Sequence, residues 1–142
     1  MAIPTSLRLE FVTPERAIVH DDVDEVQLPG DEGYFGVLPG HAPLLAALRT
    51  GEMWYRKGGE KRHAFIAGGF AEVLPNRVSI LAEVAEHAED IDLQRAEAAK
   101  HRAEQQLARR PIVELDAERA RIALLRALTR MDVARRHGNP RA

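Results

Sequence analysis

Six histidines are the side chains of this 142-residue sequence best suited to bind a metal or move a proton. Successive histidines lie at least 14 residues apart, without the close spacing of a helical metal motif; they are His20, His41, His63, His87, His101 and His137. Neither Ser6 nor Ser79 has a nucleophile elbow, and cysteine and a phosphate-cradling G-x-x-x-x-G-K-[ST] loop are absent. We therefore predict surface histidines, no metal site and no enzymatic activity.

Arginines in the C-terminal third form a candidate anion-binding set. Arg95 and Arg102 are seven residues apart, so on a helix they share nearly the same face. Arg126 and Arg130 are four residues apart, which also places them on one face. No carboxylate lies three or four residues from Arg102, Arg126 or Arg130. Their guanidinium groups are therefore predicted to be free for phosphate oxygens.

Opposite charges divide the chain into two parts. Residues 1–94 contain 8 Lys/Arg and 16 Asp/Glu, a net charge of −8, whereas residues 95–142 contain 12 and 6, a net charge of +6. This asymmetry predicts two units with different partners, or two units that attract each other. Apolar residues make up 45% of the chain, yet no run is long enough to span a membrane and no signal peptide is recognisable. A soluble protein of a cytoplasmic-type compartment is expected.

Short strands and turns are predicted over the first 85 or so residues. "LRLEFV" (Leu7–Val12) and "DEVQLP" (Asp24–Pro29) partly alternate, as half-buried strands do. "MWYRKGGEKRHAFI" places Gly58-Gly59 between two strand-like runs, and "AEVLPNRVSILAE" does the same around Pro75-Asn76. The spacing leaves no room for crossover helices. It favours an antiparallel β-sandwich or barrel.

Two helices are predicted after about Asp90. Alanine and leucine recur at steps of three and four residues in both segments, and "RRPIVELD" (Arg109–Asp116) separates them with a proline. The pattern indicates an antiparallel hairpin whose small seam residues let the helices approach closely but bury little area. We predict a sandwich domain at 1–87, a helical hairpin at 88–138 and a tail at 139–142.

The stretch "GYFGVLPGHAPL" (Gly33–Leu44) is too broken for a helix and too apolar for an ordinary loop. In one interpretation it is a sheet corner, with Gly33, Gly36 and Gly40 supplying positive φ or close backbone approach. In the other it is a stiff, exposed loop on which another protein docks.

The order of several motifs resembles one known family. "TPE" (Thr13–Glu15), "LPGDEGYFGVLPGHAPLLAAL" (Leu28–Leu48), the glycine pair Gly68-Gly69 followed by "FAEV", then "VSILAE" and "IDLQRA" occur in the order found in the epsilon subunit of F-type ATP synthases. The resemblance runs from about Leu7 to Ala134 and implies an N-terminal β-sandwich followed by a helical hairpin. It also implies docking on the gamma subunit and the c-ring, with a rotor-facing surface that includes Gly33, Phe35, Gly36, Leu38, Pro39, His41 and Pro43.

The resemblance implies a non-catalytic rotor subunit that couples H⁺ or Na⁺ flow to ATP synthesis. Its hairpin is expected to fold on the sandwich or to extend along gamma, where it restrains ATP hydrolysis. The basic helices are expected to meet acidic residues of the catalytic beta (and alpha) subunits through Arg119, Arg121, Arg126, Arg130, Arg135 and Arg136. Membrane contact is expected only through the complex, at the cytoplasmic face of a bacterial plasma membrane or at a plastid thylakoid.

"IDLQRA" (Ile91–Ala96) matches the I/L-D-x-x-R-A signature of the ATP-binding members of this family. The resemblance therefore implies ATP as a regulatory ligand, with no other cofactor. The predicted site comprises Glu86, Asp92, Arg95, Arg102, Arg126 and Arg130. The alternative is that Asp92 only caps the first helix and the arginines stay solvated or meet beta.

Two functions of other classes remain open from the residues. The basic hairpin has the charge to bind nucleic acid, but no aromatic residue follows Phe70, so bases have no stacking partner there. A free-standing sandwich that binds a small molecule is the other, although no convergent polar cluster is visible. Salt-dependent DNA binding tests the first, and co-purification with a large ATPase would exclude the second.

Overall fold

A computed structural model describes residues 2–138, which divide into two compact units between His87 and Ala88. The first unit contains, within the described residues, eight strands: β1 Leu7–Val12, β2 Ala17–Val23, β3 Glu25–Gly30, β4 Gly33–Val37, β5 Leu44–Leu48, β6 Gly51–Lys57, β7 Glu60–Leu74 and β8 Arg77–His87. The second contains a 3-10 turn at Ala88–Asp90 and two helices, α1 Leu93–Ala108 and α2 Glu114–His137. The tail predicted at 139–142 lies outside the described residues.

The strands form one sheet that folds over into a β-sandwich, which confirms the predicted fold class. Neighbouring strands follow the order β2-β1-β8-β7-β5-β3-β4, and β6 pairs with β3 and β7. Among the described strands, all pairs are antiparallel except β1 with β8, which run parallel with Leu9 opposite Val78. The sequence analysis did not predict this parallel pair, because parallel neighbours need a long connection between them. The six strands that lie between β1 and β8 along the chain supply that connection.

Alternation along the strands builds the interior of the sandwich. On β1, Leu7, Leu9 and Phe11 are fully buried while the residues between them are partly exposed. Inward-facing residues of the other strands, among them Leu28 and Ile80, complete one apolar core. Each such side chain contributes about 1.5–3 kcal/mol when it leaves water. The first unit therefore has a core of its own.

Strand β7 changes partner at its two central glycines. Residues 60–66 pair with β6, and residues 69–73 pair with β5. Gly69 has a φ of +118°, and a Cβ there would lie 2.1 Å from the carbonyl oxygen of Leu81. Only glycine fits this position, so the Gly68-Gly69 pair is explained by the bend in β7.

The stretch Gly33–Leu44 is half strand and half turn, rather than a loop throughout. Residues 33–37 form β4 against β3, and the chain turns before β5 begins at Leu44. Gly33 and Gly40 have positive φ, as predicted. Gly36 does not, and a Cβ there would meet nothing within 4 Å, so the predicted backbone role of Gly36 is wrong. Its missing side chain leaves open surface instead.

The helices of the second unit pack against each other along an alanine seam. Of the seven buried residues of α1 and α2, five are alanine: Ala96, Ala103, Ala117, Ala120 and Ala127. The second helix begins at Glu114, inside the segment predicted as a turn. Glu114 and Asp116 in its first turn favour this early start, because carboxylates stabilise a helix N-terminus. Neither helix has the length and apolarity needed to cross a membrane.

Candidate functional site

An exposed apolar row crosses the outer face of the sheet. Phe70 on β7 lies opposite Leu81 on β8, and they are 58% and 63% exposed. Ala47 on β5 faces Phe70 from the other side, and Leu45, two residues along β5, is 73% exposed. Outward positions of a solvated sheet are usually polar, so this apolar row (Leu45, Phe70 and Leu81) indicates a contact surface.

A groove of about 480 Å³ adjoins the apolar row between β4 and β5. Tyr34, Phe35 and Leu44–Ala47 line it, and Asp31 and Glu32 supply its carboxylates. Such a groove suits a partner that brings apolar side chains together with a basic group.

The predicted rotor-facing residues lie on one short segment beside this groove. The turn after β4 is held by hydrogen bonds, because the Gly40 amide donates to the Pro75 carbonyl at 2.7 Å and the His41 amide to the Leu38 carbonyl at 3.1 Å. Leu38 is 54% exposed, whereas Phe35 packs partly against the core. The strand carries Gly33, Phe35 and Gly36, and the turn carries Leu38, Pro39, His41 and Pro43.

The arginines of α1 lie opposite an ion pair that joins the two helices. The Arg135 Nη2 donates to the Glu97 Oε1 at 3.1 Å, so Glu97 marks one flank of the hairpin. Arg95 is two residues before Glu97 and Arg102 five after it. At 100° per residue both lie about 140–160° around α1 from Glu97. They therefore lie on the side of α1 away from Glu97.

Two arginines of α2, Arg126 and Arg130, lie on the side of that helix away from Arg135. Arg126 and Arg130 precede Arg135 by nine and five residues, which places them about 140–180° around α2 from Arg135. Arg135 contacts Glu97, so these four arginines (Arg95, Arg102, Arg126 and Arg130) lie on the sides of their helices that face away from this contact. We call these four arginines, Arg95, Arg102, Arg126 and Arg130, the arginine flank.

The two carboxylates of the predicted ATP site have separate settings. Asp92 is the N-cap of α1, where its Oδ1 accepts a hydrogen bond from the Arg95 amide at 3.0 Å. This is the capping role weighed as the alternative. Glu86 lies on β8 opposite Phe65, within the strand unit, and is half-buried.

Several predicted cations already have partners. Arg121 donates to Glu118 and Glu114, and these hydrogen bonds raise its pKa. Arg136 pairs with Asp132. Arg126 and Arg130 are half-buried and interact with other groups, so the prediction that their guanidinium groups are free is wrong. Spacing along one helix could not exclude partners brought by folding. The remaining candidates, Arg95, Arg102 and Arg119, are exposed.

Two histidines, His87 and His63, are half-buried, against the prediction that the histidines lie at the surface. His87 is half-buried, with its ring edge-on to Tyr55 at a centroid distance of 6.3 Å and its Nε2 3.3 Å from the Ile18 carbonyl oxygen. His63 is also half-buried, and its Nδ1 lies 3.8 Å from the Glu52 Oε1. Their strand positions place them beside buried neighbours, which spacing in the sequence alone does not reveal.

Sequence reasoning also missed the apolar row and the Glu97–Arg135 pair. A signal for the row existed, because Phe70 is out of phase with buried Ala71 and Val73 on β7. The ion pair gave no signal, since its residues are 38 positions apart.

Comparisons with known proteins match both units. Residues 6–88 match the family model "ATP synthase, Delta/Epsilon chain, beta-sandwich domain", and residues 89–135 match "ATP synthase, Delta/Epsilon chain, long alpha-helix domain". An ATP synthase epsilon chain of Nitratidesulfovibrio vulgaris is 54% identical over 129 residues, covering 90% of this chain and 95% of the relative. One of Solibacter usitatus is 49% identical over 132 residues, covering 93% and 98%.

Solved structures give the same result. A chain in the Euglena gracilis mitochondrial ATP synthase structure (OSCP/F1/c-ring) aligns with a TM-score of 0.82 at 26% identity, covering 96% of this chain and 85% of that one. A chain in the central stalk/c-ring structure of Tetrahymena thermophila mitochondrial ATP synthase aligns with a TM-score of 0.61 over 92% and 99% of the two chains. At 13% identity, the second match shows a shared fold alone.

Proposed function

Because this chain belongs to the delta/epsilon family of ATP synthase chains, we propose that it is a non-catalytic rotor subunit that couples ion flow to ATP synthesis. Its proposed partners are the gamma subunit, the c-ring and the catalytic head. It is peripheral to the membrane, held there by the complex at the cytoplasmic face of a bacterial plasma membrane.

The observation that carries the docking role is the apolar row. Leu45, Phe70 and Leu81 lie together on the outer face of a sheet that already has a core inside. Burying an exposed side chain of this size contributes about 1.5–3 kcal/mol, and aromatic anchors often dominate an interface. The row therefore offers a stable contact for gamma, and the neighbouring groove and turn face the c-ring.

Replacing Phe70 tests the docking role directly. Phe70→Ala and Leu81→Ser are expected to weaken binding to purified gamma at least tenfold, because each removes apolar area from the contact. Leu115→Ala, at a 62% exposed position on α2, is the matched control and should leave gamma binding unchanged. If all three variants bind gamma equally well, the apolar row is not part of the interface.

The hairpin is proposed to restrain ATP hydrolysis. Its cations belong to a unit separate from the docking sheet, so removing them need not disturb assembly. Truncation after Glu89 is expected to raise hydrolysis by the assembled complex while the shortened chain remains bound and β-rich. Arg126→Ala with Arg130→Ala should give part of this increase. Unchanged hydrolysis at both low and high salt would refute the restraint.

ATP binding at the arginine flank is a second proposed property. The arginine flank consists of two exposed arginines of α1 and two half-buried ones of α2, and guanidinium groups bind phosphate oxygens in bidentate fashion. Bound ATP would stabilise the folded hairpin and so oppose restraint, since a ligand favours the state that carries its site. ATP binding would require Arg126 and Arg130 to exchange their present partners for phosphate oxygens.

Calorimetric titration of the full chain with ATP tests this property. Arg102→Ala is expected to weaken binding about tenfold or more, because it removes charge-assisted hydrogen bonds. Arg109→Ala, an exposed arginine just after α1, is the control and should bind normally. Absence of heat at about millimolar ATP, or no effect of Arg102→Ala, would contradict the proposal.

A further inference from the structure

The contact between α1 and α2 depends mainly on small side chains. The seam alanines bury little area each, so the closed hairpin gains little from apolar burial. At one end the two helices are tied by the connecting residues 109–113. At the other end, where α1 begins and α2 ends, no covalent link holds them together.

The Glu97–Arg135 pair lies near that open end. Glu97 is in the second turn of α1 and Arg135 in the last turn of α2, and their side chains are 47% and 56% exposed. Two other ion pairs of α2 would not be lost if the two helices separated. Arg121 with Glu114 and Arg136 with Asp132 lie within the one helix, so they persist when the helices part.

We propose that Glu97 and Arg135 form a clasp that holds the hairpin closed and keeps Arg135 from a partner. Opening would exchange the Glu97 carboxylate for an acidic group on the partner surface, so the same guanidinium serves the closed and the open state. This inference rests on the proposed restraint of ATP hydrolysis by the hairpin. It adds which contact determines the fraction of molecules whose hairpin is closed. Salt weakens the clasp, because both groups are exposed to screening ions.

The clasp can be measured in the full chain without the ATPase. The sequence contains no cysteine, so Ala98→Cys on α1 and Ala123→Cys on α2, both at exposed positions, can carry spin labels. Glu97→Gln in this labelled chain removes the charge and keeps the shape. Glu104→Gln, at an exposed glutamate one turn from the end of α1, is the matched control.

Glu97→Gln is expected to raise the long-distance population between the labels about two- to fivefold, the range for an exposed ion pair. Glu104→Gln should leave it unchanged. The exchanged pair, Glu97→Arg with Arg135→Glu, should restore the closed fraction, and added salt should open the wild type more than Glu97→Gln. No shift with Glu97→Gln, or an equal shift with Glu104→Gln, would overturn the clasp.

Hydrolysis by the assembled complex separates the clasp from the restraint. Glu97→Gln is expected to lower hydrolysis, because more open hairpin restrains it further. If the labels move apart but hydrolysis is unchanged, the clasp is upheld and the proposed restraint fails.

Discussion

The two units of this chain are packed in different ways. The strand unit fully buries large side chains, among them Leu9, Phe11, Met53 and Ile66. The helical unit buries mostly alanine. Because apolar burial contributes about 0.8 kcal/mol for each CH₂ group, the strand unit gains far more per residue. A unit with a large apolar core and a helical pair with a small one therefore occur in one chain, which suits the docking and the restraint proposed above.

The largest effect is expected in the core of the strand unit. Leu9→Ala should lower the free energy of unfolding by about 3 kcal/mol, since it leaves a cavity among fully buried neighbours. The single tryptophan, Trp54 on β6, reports this transition by fluorescence. Leu45→Ala makes the same chemical change at a 73% exposed site and should shift stability by less than about 0.5 kcal/mol. Similar losses in both variants would contradict the assignment of the core.

A smaller effect is expected in the alanine seam. Ala120→Leu overfills the contact between the helices and should destabilise the closed hairpin by about 1–3 kcal/mol. Amide hydrogen exchange in α1 and α2 should become faster, while the Trp54 transition stays where it is. Ala123→Leu, at an exposed position of the same helix, is the control. If both leucines act alike, the seam does not limit the approach of the helices.

Loss of the N-cap of α1 should lower stability by less than the change in the alanine seam. Asp92→Ala removes the acceptor for the Arg95 amide and is expected to cost about 1 kcal/mol of helix stability. Asp92→Asn keeps an acceptor and should retain the helix, as judged by exchange of the first-turn amides. The pair of variants also separates capping from ATP binding, because only a direct carboxylate contact would make Asp92→Asn bind ATP poorly. Intact first-turn protection in Asp92→Ala would rule out the cap.

The smallest effect belongs to an exposed pair of the strand unit and depends on pH. The hydrogen bond with Lys57 lowers the pKa of Asp21, and the same bond raises the pKa of Lys57. An acid whose pKa is lowered by folding stabilises the protein above its unfolded pKa, and this contribution is lost as the pH falls through its folded pKa. A lysine whose pKa is raised by folding loses its contribution as the pH rises through its folded pKa. Denaturation curves should therefore separate wild type from Lys57→Gln between about pH 5 and 9, and they should converge in acid once the pH is below the lowered pKa of Asp21.

Lys61→Gln is the control for this last prediction. Lys61 lies on the same β6–β7 hairpin, with its Nζ 4.1 Å from the centroid of the Trp54 ring. Its replacement should cost the same amount at pH 3 and pH 7, because no carboxylate titration is involved. A difference between wild type and Lys57→Gln that persists in acid would exclude the Asp21 pairing as its cause.

The sequence determined the strands, helices and turns that depend on neighbours along the chain. Alternation placed β1 at Leu7–Val12, and Gly58-Gly59 marked the β6–β7 turn, because side-chain period and positive φ are local properties. Three- and four-residue steps of alanine indicated both helices. The order of the family motifs indicated the family itself.

Only the tertiary structure decided what distant residues do to one another. It paired β1 with β8 in parallel, put Phe70 beside Leu81 on an exposed face, and joined Glu97 to Arg135. It also gave Arg126 and Arg130 partners that helix spacing did not reveal. The physical reason is the same each time: contact energies depend on distance in space, and the chain brings together residues whose separation in sequence carries no periodic signal.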